Sequence, residues 1–254
     1  MNAPGIEYFL PAPYPVAWSL ALLLGIFWLT LVTWSSWWRR LVVWPALLLG
    51  AAVFSPSIAW VQVPLQYVTG AALVQAFGQA SLQANLLLAG IPQILESGLV
   101  QAAAKLLVIL LLFLILRVRG GRLVLVGAAV GASFGAFEAA WTFGLIFASG
   151  WTPDTAQLLG PLAFIGFVER FSAVAFHTAS GTLLGYGVLR GRAGLYYILA
   201  AALHSVANYA AILLQVRAVD AIGSEVYVGV ISLLAVGWAF TLARRSRLTV
   251  RTAA

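Results

Sequence analysis

Seven stretches of this chain, about 15–34, 41–60, 93–116, 123–148, 163–189, 194–216 and 226–243, are each long and apolar enough to cross a bilayer. The hydrocarbon core takes about 20 mostly apolar residues per helix, and a backbone without water must satisfy its own hydrogen bonds. These spans predict an all-α fold: a polytopic membrane helical bundle of about seven transmembrane helices. Composition agrees, because only 8% of the 254 residues are charged and mean hydropathy is +1.00, where soluble domains carry about a quarter charged residues.

The net charge of +7 would suit nucleic acid if it formed one patch, but it is divided among alternate connections. Arg39 and Arg40, then Arg117, Arg119 and Arg122, then Arg190 and Arg192, then Arg244, Arg245, Arg247 and Arg251 fall on one side of the predicted spans. The opposite connections hold Asp154, Asp220 and Glu225, with Arg217 as the exception. This positive-inside pattern puts the N-terminus outside and the C-terminus in the cytosol, and it predicts the lipid bilayer rather than nucleic acid as partner. There are no cysteines, which removes disulfides, thiol nucleophiles and cysteine metal sites.

The opening "MNAPGIEYFLPAPYP" has no basic n-region and no small-residue cleavage site, so the first span is expected to be retained. Residues 61–92 carry Gln62, Gln66, Gln75, Gln79, Gln83 and Asn85, too polar for a lipid-facing span. An amphipathic interfacial helix or a re-entrant segment is expected there. No internal repeat or low-complexity linker divides the chain, so 1–254 reads as a single integral membrane domain.

An ionisable side chain in mid-membrane costs at least about 2.5–3.5 kcal/mol on insertion scales, so the polar residues inside the spans carry the functional information. In span four, Gly127, Gly131 and Gly135 recur every fourth residue, a small-residue ridge that admits another helix closely. Glu138 lies on the same stripe. In span five, Arg170, His177, Gly181 and Gly185 share a stripe, and His204 and Asn208 stand one turn apart in span six. Span three supplies Ser97, Gln101 and Lys105 at successive turns. Measured from the cytosolic ends, Glu138, Asn208 and Gln101 come out roughly 21–24 Å deep, and His177 and His204 roughly 15–18 Å. Five polar side chains from four helices are therefore expected to converge.

Taken singly, a membrane His or Asn is equally well explained as a helix–helix hydrogen bond of about 0.6 kcal/mol. Arg170, nearer the outer surface, could pair with Glu169 or Asp154 or snorkel outward. Lys105 could be neutralised by Glu138. Taken together, the residues fit two reaction types. Glu138 could act as general base on water, with a histidine and Asn208 stabilising the oxyanion. Alternatively, His177, His204 and Glu138 could bind Zn²⁺, leaving a position open for water. "GASFG" at 131–135 fits G-x-S-x-G. Ser133, however, lies inside a continuous span on a face about 140° from Glu138, so these glycines read as packing.

"VGAAVGASFGAFEAAW" resembles the second motif of PrsW-type intramembrane peptidases, in which a Phe-x-x-x-Glu follows a glycine within a span. "ERFSAVAFHTASGTLLGYG" resembles their next motif, a His followed by Gly-aromatic with an Arg upstream, and also the related YhfC-type peptidases. "LHSVANY" is similar to the final His-x-x-x-Asn/Asp-aromatic motif. The likeness runs from about residue 97 to 210, within an expected core at 93–216. Outside it are the two N-terminal spans with the interfacial segment (1–92) and the last span (226–243).

These peptidases belong to the CAAX-protease-like group. The resemblance implies a helical core in which Glu138, His177, His204 and Asn208 activate water, in a bacterial inner membrane, on a membrane-protein or peptide substrate. It leaves glutamate-type and metalloprotease mechanisms both open. The family's first motif, Glu-Glu followed by Lys or Arg, is altered here: "QAAAK" gives Gln101 and Lys105, and the nearest acid is Glu96, about 140° around the helix. The leading expectation is an intramembrane peptidase. A catalytically inactive scaffold or chaperone that binds membrane proteins is the alternative, and a proton-coupled transporter a third.

Overall fold

The computed structural model describes residues 4–34 and 36–251, the last five as backbone only, so the side chains of Arg247 and Arg251 lie outside the described residues. The fold is all-α, with seven helical runs long and apolar enough to cross a membrane. It is an integral membrane helical bundle.

The first run is α1 (Pro15–Thr33). The second joins α2 (Val43–Ala52), α3 (Phe54–Ser57), a π turn (Ile58–Gln62) and α4 (Val63–Phe77). Short helices α5 (Gln79–Ala84) and α6 (Leu86–Ala89) lead to α7 (Ile91–Ile115), and α8 (Arg122–Ala148) follows. After α9 (Pro153–Leu159) come α10 (Ile165–Leu189), α11 (Ala193–Gln215) and α12 (Ala221–Arg251).

The predicted spans hold, and the polar segment after the second is helical as well, continuous with that span as far as Phe77. The chain stays helical from Val43 to Phe77, about 52 Å of helix at 1.5 Å per residue against a core of about 30 Å. Pro56 and Pro64 flank the π turn. Each lacks the N–H that an α-helix needs, and the wider turn between them absorbs the missing bonds. None of the α4 side chains is buried, and α4 lies along α7. Gln62 and Gln66 face α7, while Gln75, Gln79, Gln83 and Asn85 are exposed.

The centre of the bundle is α8, whose apolar window is 83% buried against 39% for α1. Helices α1, α2 and α10 pack on it, α12 backs α10, and α7 pairs with α11. The closest approach is between α8 and α10. A Cβ built on Gly131 would collide with the His177 carbonyl oxygen, and one on Gly127 with that of Gly181. A Cβ on Gly181 would in turn lie 2.9 Å from the Gly131 Cα. The glycine ridge read from the sequence thus brings two backbones into contact, as small residues allow in membranes.

Candidate active site

Where α8 and α10 touch, Glu138 and His177 face each other. The Glu138 Oε2 lies 2.7 Å from the His177 Nε2, at ion-pair distance but outside hydrogen-bond alignment. Gly135, one turn before Glu138, is the reason that the ring fits: a Cβ there would lie 2.9 Å from the His177 Cβ. The other ring nitrogen, Nδ1, is 3.1 Å from the Lys105 Nζ of α7, and the same ammonium donates to the Ser180 Oγ at 2.7 Å. With Lys105 as an ammonium, which has hydrogens only to give, Nδ1 accepts and the hydrogen of a neutral ring falls on Nε2, the nitrogen nearer Glu138. Lys105 is fully buried, with its charge 5.3 Å from the centre of the Phe134 ring.

On the far side of Glu138, the Arg170 Nη1 lies 3.6 Å from Oε1, while the rest of the guanidinium forks onto Glu169. The result is one continuous chain, Lys105–His177–Glu138–Arg170–Glu169, drawn from three helices, buried at Lys105 and His177 and partly exposed from Glu138 outward. Two expectations change here. Arg170 reaches the centre of the site as well as Glu169, because its long side chain spans the α8–α10 seam. Lys105 meets Glu138 only through the imidazole, not directly.

His204 enters from α11 and packs edge-on to His177, ring centres 5.3 Å apart, with Phe176 closing its other side at 5.4 Å. It is buried, and its Nδ1 has no hydrogen-bond partner. Asn208, placed by sequence beside His204, instead donates to the Ser97 Oγ of α7 at 3.0 Å. Gln101 donates to the same oxygen at 3.3 Å and to the Gln62 Oε1 at 3.1 Å, leaving its own Oε1 unpaired. Ser97 therefore ties α7 to α11, and Gln62 ties both to the π turn. Glu96 belongs to this second group, since it accepts from the Thr69 hydroxyl of α4. Helix α7 is continuous through this region, so Glu96 stays at the α4 seam rather than turning toward His177.

Ser133 packs against Gly50 of α2 and donates to the Val130 carbonyl at 3.3 Å, on the opposite side of α8 from the histidines. Its G-x-S-x-G setting is helix packing. Both His177 nitrogens are engaged, by Lys105 and Glu138, and two cations border the site. Among the described residues no three His, Asp or Glu side chains are grouped to hold a metal ion. The set His177, His204 and Glu138 does not fit zinc as arranged.

Sequence reasoning missed Ser180. Its position three residues after His177 puts it on the same helix face, which was the available signal. No family model, no curated protein and no solved structure matches the chain.

Proposed function

We propose that this protein is an intramembrane peptidase of the PrsW/YhfC type that hydrolyses a peptide bond of a membrane-associated protein or peptide. The observation that carries the reading is the Glu138–His177 contact of 2.7 Å with His204 edge-on beside it. A carboxylate so placed can take a proton from water as the water oxygen attacks the scissile carbonyl carbon, and then pass that proton to the leaving amine. The products are a carboxylate and an amine, and no cofactor enters. Lys105, through His177, supplies positive charge next to the developing oxyanion. His204, with a free ring nitrogen, is the group positioned to meet the substrate. Gln101 and Asn208 hold the neighbouring helices. The site belongs in a bacterial cytoplasmic membrane with the arginine-rich connections in the cytosol.

The second reading, a binding scaffold without chemistry, is favoured by one observation: both Glu138 oxygens already have a basic partner. The test is cleavage of a panel of single-span substrates by purified protein in liposomes, comparing wild type with Glu138→Gln and His177→Ala. The peptidase reading expects cleavage by wild type and loss in both variants. Cleavage that survives Glu138→Gln contradicts the site assignment. Binding of a panel member by folded wild type, without a cut, supports the scaffold.

A further inference from the structure

At the arginine-rich end of the bundle, where α7 ends at Ile115, α8 begins at Arg122 and α2 begins at Val43, an open cleft of about 250 Å³ lies between the three helix ends. Its wall is apolar, formed by Leu41, Val42, Pro45 and Val118, and its rim is Arg117 and Arg122. Both guanidiniums are exposed, and among the described residues neither has a carboxylate within ion-pair distance. Arg119, on the same connection, lies over the Phe113 ring at 4.4 Å. Arg117 adopts a positive φ of 50°, a conformation unfavourable for a side-chain-bearing residue. The connections 34–42 and 116–122 contain no acidic residue.

We infer that this cleft binds the phosphate of an anionic membrane phospholipid. Two guanidiniums can each grip phosphate oxygens through paired N–H donors. The apolar wall suits the glycerol and first acyl carbons below the phosphate. The cleft stands where the apolar helices end, which is headgroup depth, and Trp37, Trp38 and Trp44 cluster at the same level, as aromatic side chains do at membrane interfaces. A zwitterionic headgroup would bring its own cation against an all-arginine rim, so the charge selects an anionic one.

The test is native mass spectrometry of the full chain released from vesicles of equal phosphatidylglycerol and phosphatidylcholine. Wild type retains phosphatidylglycerol roughly 30-fold over phosphatidylcholine, the effect of two arginines at a membrane surface. Arg117→Gln/Arg122→Gln lowers that ratio to near one, while Arg190→Gln/Arg192→Gln, on the same face outside the cleft, leaves it unchanged. If the double variant is not monodisperse, Leu41→Asp, at a side chain 86% exposed, repels the phosphate and gives the same loss. An unchanged ratio in the folded cleft variants overturns the proposal. So does an equal loss in the control pair, or displacement of the lipid by millimolar glycerol phosphate, which would make a soluble phosphate the occupant.

Discussion

Two helix seams in this molecule are built from opposite materials. Between α8 and α10, glycines let backbones touch, with His177 buried and Glu138 and Arg170 mostly covered beside it. Between α7 and the π turn with α4, the contacts are amides and a hydroxyl: Gln101 to the Gln62 Oε1, Gln66 to the Gln93 carbonyl at 2.8 Å, and Thr69 to Glu96. The first seam fixes the separation of Glu138 and His177 by hard-sphere contact. The second joins helices by single hydrogen bonds worth about 0.6 kcal/mol each in a membrane. A catalytic pair needs the first kind of joint, because small errors in placement forfeit rate. Both seams are polar in sequence, and only one of them holds the candidate chemistry.

Substitutions sharpen this contrast in order of size. Glu138→Gln keeps the shape of the tight seam and removes the base. It is expected to lower cleavage by about 10²–10⁴-fold in the liposome assay, with little change in the elution profile of the folded protein. Gly131→Leu attacks the seam itself and should destabilise the fold by about 1–3 kcal/mol or more. Gly70→Leu, on the α4 side, meets only the flexible end of Gln93 at 3.3 Å and should stay within about 0.5 kcal/mol. Reversible unfolding in mixed micelles measures both. Equal losses would erase the distinction between the seams.

Lys105→Met leaves the His177 Nδ1 without its donor and should cost about 1–3 kcal/mol. A double-mutant cycle with Ser180→Ala reads how much of that passes through the shared ammonium. Gln62→Ala removes one amide contact at the open seam, and about 0.6 kcal/mol is expected on the same unfolding scale. Ser133→Ala should leave cleavage unchanged, and wild type should take no label from a serine-directed fluorophosphonate. Labelling at Ser133 would move the chemistry to the wrong side of α8.

The sequence made the seven spans legible because their length and apolarity follow directly from bilayer thickness. It also made the α8–α10 seam legible, since the four-residue glycine period and the stripe through Glu138 are local properties of one helix. What it concealed was partnership between helices. The reach of Arg170 to Glu138, the placing of Ser180 under Lys105, and the choice of Ser97 over His204 by Asn208 depend on helix rotation and side-chain length, which no single-helix period encodes. The run through Gln62 to Phe77 was hidden differently. Its polarity argued against a span, and only the tertiary contact with α7 shows where Gln62 and Gln66 go.

The most direct test uses the fact that the chain has two histidines. With ¹⁵N-labelled histidine and a purification tag free of histidine, the nitrogen spectrum contains two rings, and His177→Ala assigns them. The account predicts that His177 is a neutral ring with its hydrogen on Nε2, that Glu138→Gln shifts it, and that Gln62→Ala does not. A His177 ring that carries its hydrogen on Nδ1, or that ignores Glu138→Gln, would contradict the buried Lys105–His177–Glu138 chain on which the proposed chemistry stands.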